Sequence, residues 1–110
     1  MSDYPTEKEL DIIINWKPDK WDFMSFMDFI KSVWWMADWG FKRKGRIFWL
    51  STGGWSGNED IVYAMENNKN MFWSVCWQSS KRGGHYKFHI PKIKAQTTLK
   101  RSSLSNKNEL

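Results

Sequence analysis

Apolar and polar residues follow two different periods along the chain, and the points where the period changes divide it into elements. Ile47-Phe48-Trp49-Leu50 is a continuous apolar run, the pattern of a strand covered on both faces. It leads into Ser51-Thr52-Gly53-Gly54-Trp55-Ser56-Gly57-Asn58-Glu59, where glycines permit backbone conformations and approaches that a Cβ would block. Ser56 and Glu59 have the spacing of a capping box, which predicts a helix from near Gly57 to about Asn67 with Ile61, Val62 and Met65 inward. Upstream, Phe23, Phe26 or Met27, Ile30, Val33 or Trp34, and Ala37 recur at three- and four-residue steps, predicting a helix over about residues 19–38 that Gly40 stops. Thr6 and Glu9 repeat the capping-box spacing and favour a short helix ending near Trp16, whereas Ile12-Ile13-Ile14 equally suits a strand.

Downstream, Met71, Trp73, Val75 and Trp77 alternate with Phe72, Ser74, Cys76 and Gln78; Tyr86, Phe88 and Ile90 alternate with His85, Lys87 and His89. Separated by Ser80-Lys81-Arg82-Gly83-Gly84, these runs predict a β-hairpin. An even loop at Lys81-Arg82 sets Trp77 opposite Tyr86 and Val75 opposite Phe88 on an apolar face. It sets Gln78 opposite His85, Cys76 opposite Lys87 and Ser74 opposite His89 on a polar one. Lys42-Arg43-Lys44-Gly45-Arg46 reads as a solvated connector, and Pro91 ends the hairpin. The expected fold is α/β (α+β): one compact domain over residues 1–91, in α-β-α-β-β order, with a small mixed three-stranded sheet packed by helices. Residues 92–110, rich in Lys, Ser, Thr and Asn, are expected to form a flexible basic tail.

Charge changes this picture because it is unevenly distributed. The net charge is +5, yet residues 1–40 carry four Lys against eight Asp or Glu. Residues 41–91 carry eight bases against three acids, and residues 92–110 five against Glu109. Phosphate-bearing partners therefore suit the half with the glycine-rich turn, while the acidic N-terminal half argues against a protein that coats DNA uniformly. The nine Trp and seven Phe are assigned mainly to the core. Trp35 and Trp39, which continue the polar stripe of the long helix, are candidates for a homodimer contact or a ligand wall. The lone Cys76 has no internal disulfide partner, and the N-terminus lacks a signal-peptide pattern, so a cytoplasmic location is expected. Asp28, Lys31 and Asp38 interrupt the longest apolar stretch, Phe23 to Phe41, so no membrane span is expected.

The unit over residues 46–79 reads as a right-handed crossover between parallel strands. That geometry brings the carboxyl ends of both strands to one sheet edge, where open α/β sheets bind ligands. The candidate ligand site is then Ser51, Thr52, Gly53, Gly54, Trp55, Ser56, Gly57 and Asn58 from one loop with Lys81, Arg82 and His85 from the other. Hydroxyls, backbone N–H groups at a helix start, two cations, an indole plane and an imidazole suit a phosphate joined to a base or sugar. No Gly-Lys-Ser/Thr follows the glycines, and their spacing is not that of a dinucleotide fingerprint, so neither ATP hydrolysis nor a dinucleotide cofactor is supported. Cys76, His85 and His89 share the expected polar hairpin face but lack a convergent fourth ligand, so no metal is assigned. Cys76 has no activating neighbour, and Glu59 is better explained as the partner of Ser56 than as an acid–base group. No catalytic residue and no cofactor are assigned.

The motifs Ser51 to Glu59, Phe72-Trp73 to Cys76-Trp77 and Arg82-Gly83-Gly84-His85-Tyr86 resemble a family of small, uncharacterised bacteriophage proteins over roughly residues 34–90. The resemblance implies a setting: an accessory protein in the host cytoplasm that counters host defence. In that setting the expected function is non-enzymatic capture of a nucleotide signal at the two glycine-rich loops. The alternative is a protein–protein inhibitor of a host defence or nucleic-acid-processing protein, and a nucleotide-processing enzyme is the third reading.

Overall fold

Thr6 opens the first helix with both bonds of a capping box: its Oγ1 accepts from Glu9 N at 3.1 Å, and Glu9 Oε1 accepts from Thr6 N at 2.8 Å. This computed structural model describes residues 4–92, so residues 93–110, nearly all of the expected tail, lie outside the described residues. The capped segment is α1 (Glu7–Asn15), which resolves the helix-or-strand ambiguity of the isoleucine run in favour of helix. The chain continues through α2 (Met24–Val33), α3 (Ala37–Gly40), β1 (Phe41–Lys44), β2 (Ile47–Ser51), α4 (Ser56–Glu66), α5 (Phe72–Cys76), β3 (Trp77–Lys81) and β4 (His85–His89).

The fold is mixed α+β, but its sheet differs from the expected one. It has four strands in the order β1-β2-β4-β3, with every neighbouring pair antiparallel. The expected parallel crossover is thus a correction: β4 lies between β2 and β3. Those two strands still point the same way, because both run antiparallel to β4. Their carboxyl ends therefore share one edge of the sheet.

The added strand is β1, in the segment read as a connector. Gly45 (φ +62°) and Arg46 form a two-residue turn that pairs Lys44 with Ile47, the glycine-first turn that suits hairpin twist. Arg46 is tethered rather than solvated. Its guanidinium donates to Asp22 Oδ1 at 2.7 Å, to Ile90 O at 2.7 Å and to Pro91 O at 3.2 Å.

The expected helix over 19–38 is cut to α2, after which Met36 takes a left-handed conformation (φ 57°) before the single turn of α3. Residues 72–76, expected as strand, are helical. Phe72 and Cys76, four residues apart, both face the core. The hairpin turn has three residues, Arg82 to Gly84, and a bulge interrupts the ladder between Trp77 and Ser79. These two odd offsets cancel, so Trp77 faces Phe88 rather than Tyr86, while Ser79 faces Lys87 and Lys81 faces His85.

One face of the sheet is the core. Phe48, Leu50 and Phe88 are fully or almost fully buried there with Phe23, Phe26, Ile30 and Phe72 from the helices. The rings of Phe26, Phe72 and Phe88 form a chain with centroids 4.6 and 5.3 Å apart. Buried Asn68 fixes α1 against the α4–α5 connection. Its Nδ2 donates to Ile13 O at 2.8 Å and Trp16 O at 3.1 Å, and its Oδ1 accepts from Asn70 N at 2.9 Å and Phe72 N at 3.3 Å. Among the described residues, no helix is long and apolar enough to cross a membrane.

Candidate functional site

Period-two alternation leaves the other sheet face to Lys42, Lys44, Trp49, Ser51, Ser79, Lys81, His85, Lys87 and His89, all exposed or half-buried. No residue of the four strands is acidic. The acids of the described chain lie on helices and on the connection before α2. The sheet itself is therefore basic, and the acids lie off its strands, with Asp38 beside Lys42 at the β1 edge.

The two glycine-rich loops meet at the carboxyl-end rim of this sheet. Ser51, directly opposite His85 in the ladder, contacts it through Oγ and Nδ1 at 2.8 Å. Immediately beyond, Thr52 N donates to Gly84 O at 2.9 Å. A Cβ on Gly84 (φ +79°) would collide with the Thr52 hydroxyl, so this approach requires glycine. Trp49, Ser51, Ser79, Lys81, His85 and Lys87 line a recess of about 540 Å³ on the open face. Lys87 Nζ lies 6.0 Å from the centre of the Trp49 ring.

Of the residues expected from sequence to bind ligand, Ser51, Lys81 and His85 line this recess. Thr52, Gly53 and Asn58 line a smaller one of about 250 Å³ with Trp35, Met36 and Trp39. Gly54, Trp55, Ser56 and Gly57 line neither, and Arg82 stands exposed at the hairpin tip. Trp49 and Lys87 were not expected from sequence. Trp49 was read as part of a strand buried on both faces, yet it is 40% exposed. Its signal was the Trp49-Leu50-Ser51 alternation at the end of the run.

The glycine turn uses its own backbone donors. Trp55 N donates to Thr52 O at 3.0 Å and Gly54 N to Thr52 Oγ1 at 3.3 Å. With Gly53 at φ +64° and Gly54 at φ +72°, the turn closes on itself through these two N–H groups. Trp55 stacks on Trp35 at 3.9 Å with 9° between planes, and Tyr4 lies on Trp55 at 6.3 Å. The expected Ser56–Glu59 capping box does not form: Ser56 is the first helical residue, Trp55 is the N-cap, and no side chain caps the helix.

Cys76 is separated from the two histidines. It is buried at the end of α5, and burial pushes its thiol up to about 12. Among the described residues, no three His, Cys, Asp or Glu side chains are grouped to hold a metal. The Ser51–His85 pair has the parts of a nucleophile and base, but among the described residues no carboxylate is hydrogen-bonded to His85 to orient the imidazole. Compared with known families, curated proteins and solved structures, the chain gives no match.

Proposed function

We propose that the protein is a non-enzymatic binding protein that captures a phosphate-bearing ligand, such as a nucleotide, at the rim where the two glycine-rich loops meet. The observation that carries this reading is the recess around the Ser51–His85 contact, which Lys81, Lys87 and the Trp49 indole line and in which no strand residue opposes the lysines with negative charge. Hydroxyl, imidazole and ammonium groups supply anion donors, and Trp49 supplies an apolar plane for a base. The proposed first contacts are thus Ser51, Lys81, His85, Lys87 and Trp49. The loop residues Thr52, Gly53, Gly54 and Gly84 hold the two strands' ends together.

This reading places the ligand on the open face of the sheet rather than at the start of α4. In the phage setting implied by the sequence motifs, such a protein acts as a sponge for a defence nucleotide in the host cytoplasm. A thermal-shift panel of mononucleotides and cyclic oligonucleotides tests it. Binding to the folded state alone at a hundredfold excess over Kd stabilises by about 2.7 kcal/mol, a rise of roughly 10 °C for a domain of this size. A rise in wild type that is lost in Lys81→Ala and His85→Ala supports the reading. No rise with any member, or an equal rise in both variants, overturns it.

Exposed Trp39 and Met36, beside the smaller recess, favour a second reading in which this side of the molecule contacts a protein. That partner is a second copy of the chain or a host defence protein. Sedimentation of Trp39→Ala tests the homodimer form: loss of a wild-type dimer supports it, and a wild-type monomer at all concentrations rejects it.

A further inference from the structure

The basic surface does not stop at the recess. Lys42 and Lys44 on β1 lie on the same open face as Lys81, at the opposite edge of the sheet with β2 and β4 between, and are paired in register with Trp49 and Ile47. Trp49 and Lys87 are direct partners in the middle of the sheet, between these lysines and the rim. The face is therefore a basic band across all four strands with an exposed indole near its centre. A mononucleotide fills only one end of it.

We propose that this face binds a single strand of nucleic acid laid across the sheet, with one phosphate at the Ser51–His85 rim and an unpaired base on Trp49. The proposal rests on the phosphate reading of that rim and extends it from a small ligand to an oligonucleotide. Three features select this occupant. Several lysines on strands that carry no acid favour a polyanion over a single phosphate, because each neutralised phosphate releases counterions. An exposed aromatic on a sheet surface stacks unpaired bases, which a duplex does not present. The spacing also fits: four strands about 4.8 Å apart span roughly 14 Å, comparable to sheet surfaces that hold two or three bases.

Two contacts on this face rearrange on binding. Lys87 sits 6.0 Å from the Trp49 ring at a solvent-exposed site, a contact easily exchanged for a phosphate. Lys42 Nζ donates to Asp38 O at 2.6 Å, an exposed bond that leaves the ammonium other hydrogens to donate.

Fluorescence anisotropy with labelled eight-nucleotide single strands of DNA and RNA, their duplexes and mononucleotide competitors tests the proposal on the full chain. Four lysines on the band predict a slope of log K against log salt of about −3 for single strands. Lys42→Ala with Lys44→Ala, both at exposed positions away from the core, reduces that slope by about 1.4. Trp49→Ala weakens single-strand binding by about 5- to 150-fold. Preference for RNA over DNA, or the reverse, identifies the natural strand and supports the proposal either way. If mononucleotides bind as tightly as oligonucleotides and the β1 variants match wild type, the proposal is overturned while the phosphate site stands. If neither binds, both readings fall. Binding to an acidic peptide instead of any nucleic acid overturns this one in favour of a protein partner.

Discussion

The side-chain amide of Asn58 forms a closed pair with the main chain of Trp35. Its Oδ1 accepts from Trp35 N at 2.9 Å, and its Nδ2 donates to Trp35 O at 3.0 Å. Asn58 is 2% exposed and acts on the α2–α3 connection as a neighbouring strand would, satisfying one backbone donor and one acceptor. The pair holds Trp35 flat against Trp55 and keeps the chain from continuing as helix.

Replacing Asn58 with Ala removes its hydrogen bonds to two part-buried backbone groups of Trp35. The expected loss is about 2–3 kcal/mol, read as a lower urea midpoint at unchanged m-value. A loss below about 0.5 kcal/mol, the range of an ordinary surface substitution, contradicts a bracing role.

Asn68 serves a larger set of partners, since its amide bonds to the end of α1 and to the start of α5. Asn68→Ala is expected to cost about 3 kcal/mol or more, because several buried groups lose their partners together. Hydrogen exchange then speeds up first in α1. Uniform acceleration across the sheet as well contradicts this local picture.

Two glycines separate backbone strain from steric collision. Gly54 (φ +72°) has open space where a Cβ would lie, whereas a Cβ on Gly84 (φ +79°) overlaps the Thr52 hydroxyl. Gly54→Ala should cost about 1 kcal/mol for the left-handed conformation alone. Gly84→Ala should cost clearly more and also weaken ligand binding by parting Ser51 from His85. Equal costs in thermal unfolding contradict the close approach.

Burial disfavours the thiolate and pushes the Cys76 thiol up from its ordinary value of 9.0 to about 12 in the fold. Below pH 9 both states keep the proton and its contribution is complete. Between pH 9 and 12 the unfolded chain gains by releasing it, so stability falls by at most about 1.4 kcal/mol per pH unit. Tyr86, also raised by burial and by the charges of Glu66 and Glu59, acts in the same direction above pH 10. Urea midpoints from pH 8 to 10.5 should fall less steeply in Cys76→Ala than in wild type. Native Cys76 should react with a thiol reagent only on unfolding. Parallel slopes, or prompt labelling of the native protein, contradict the assignment.

What the sequence showed and what it hid follow from the range of the interactions. The capping box at Thr6 and Glu9 and the apolar face of α4 are local and were legible. The faces of β4 were legible, but those of β3 were not: the three-residue turn puts Ser79 and Lys81, odd positions expected on the apolar side, on the open face opposite Lys87 and His85, and only Trp77, beyond the bulge, keeps the expected side. β1 was hidden because Lys42-Arg43-Lys44 carries the charges that protect an edge strand and no alternation to mark it. Residues 72–76 follow period two in Met71, Trp73 and Val75, yet Asn68, reaching back to Ile13 and Trp16, holds Phe72 at the start of a helix. The same distance effect shortened α2, through Asn58. Of the residues that line the recess, Ser51, Lys81 and His85 were brought to one sheet edge by strand direction. Trp49 and Lys87 required knowing that one sheet face is open.

The most direct test of the central claim is a map of backbone and indole NMR shifts on titration with a nucleotide. The account predicts changes centred on Ser51, Lys81, His85, Lys87 and the Trp49 indole, with the amides of Ser56 to Asn58 and the Trp55 indole nearly still. Changes concentrated at the start of α4 or around Trp39, or no changes at saturating nucleotide, contradict it.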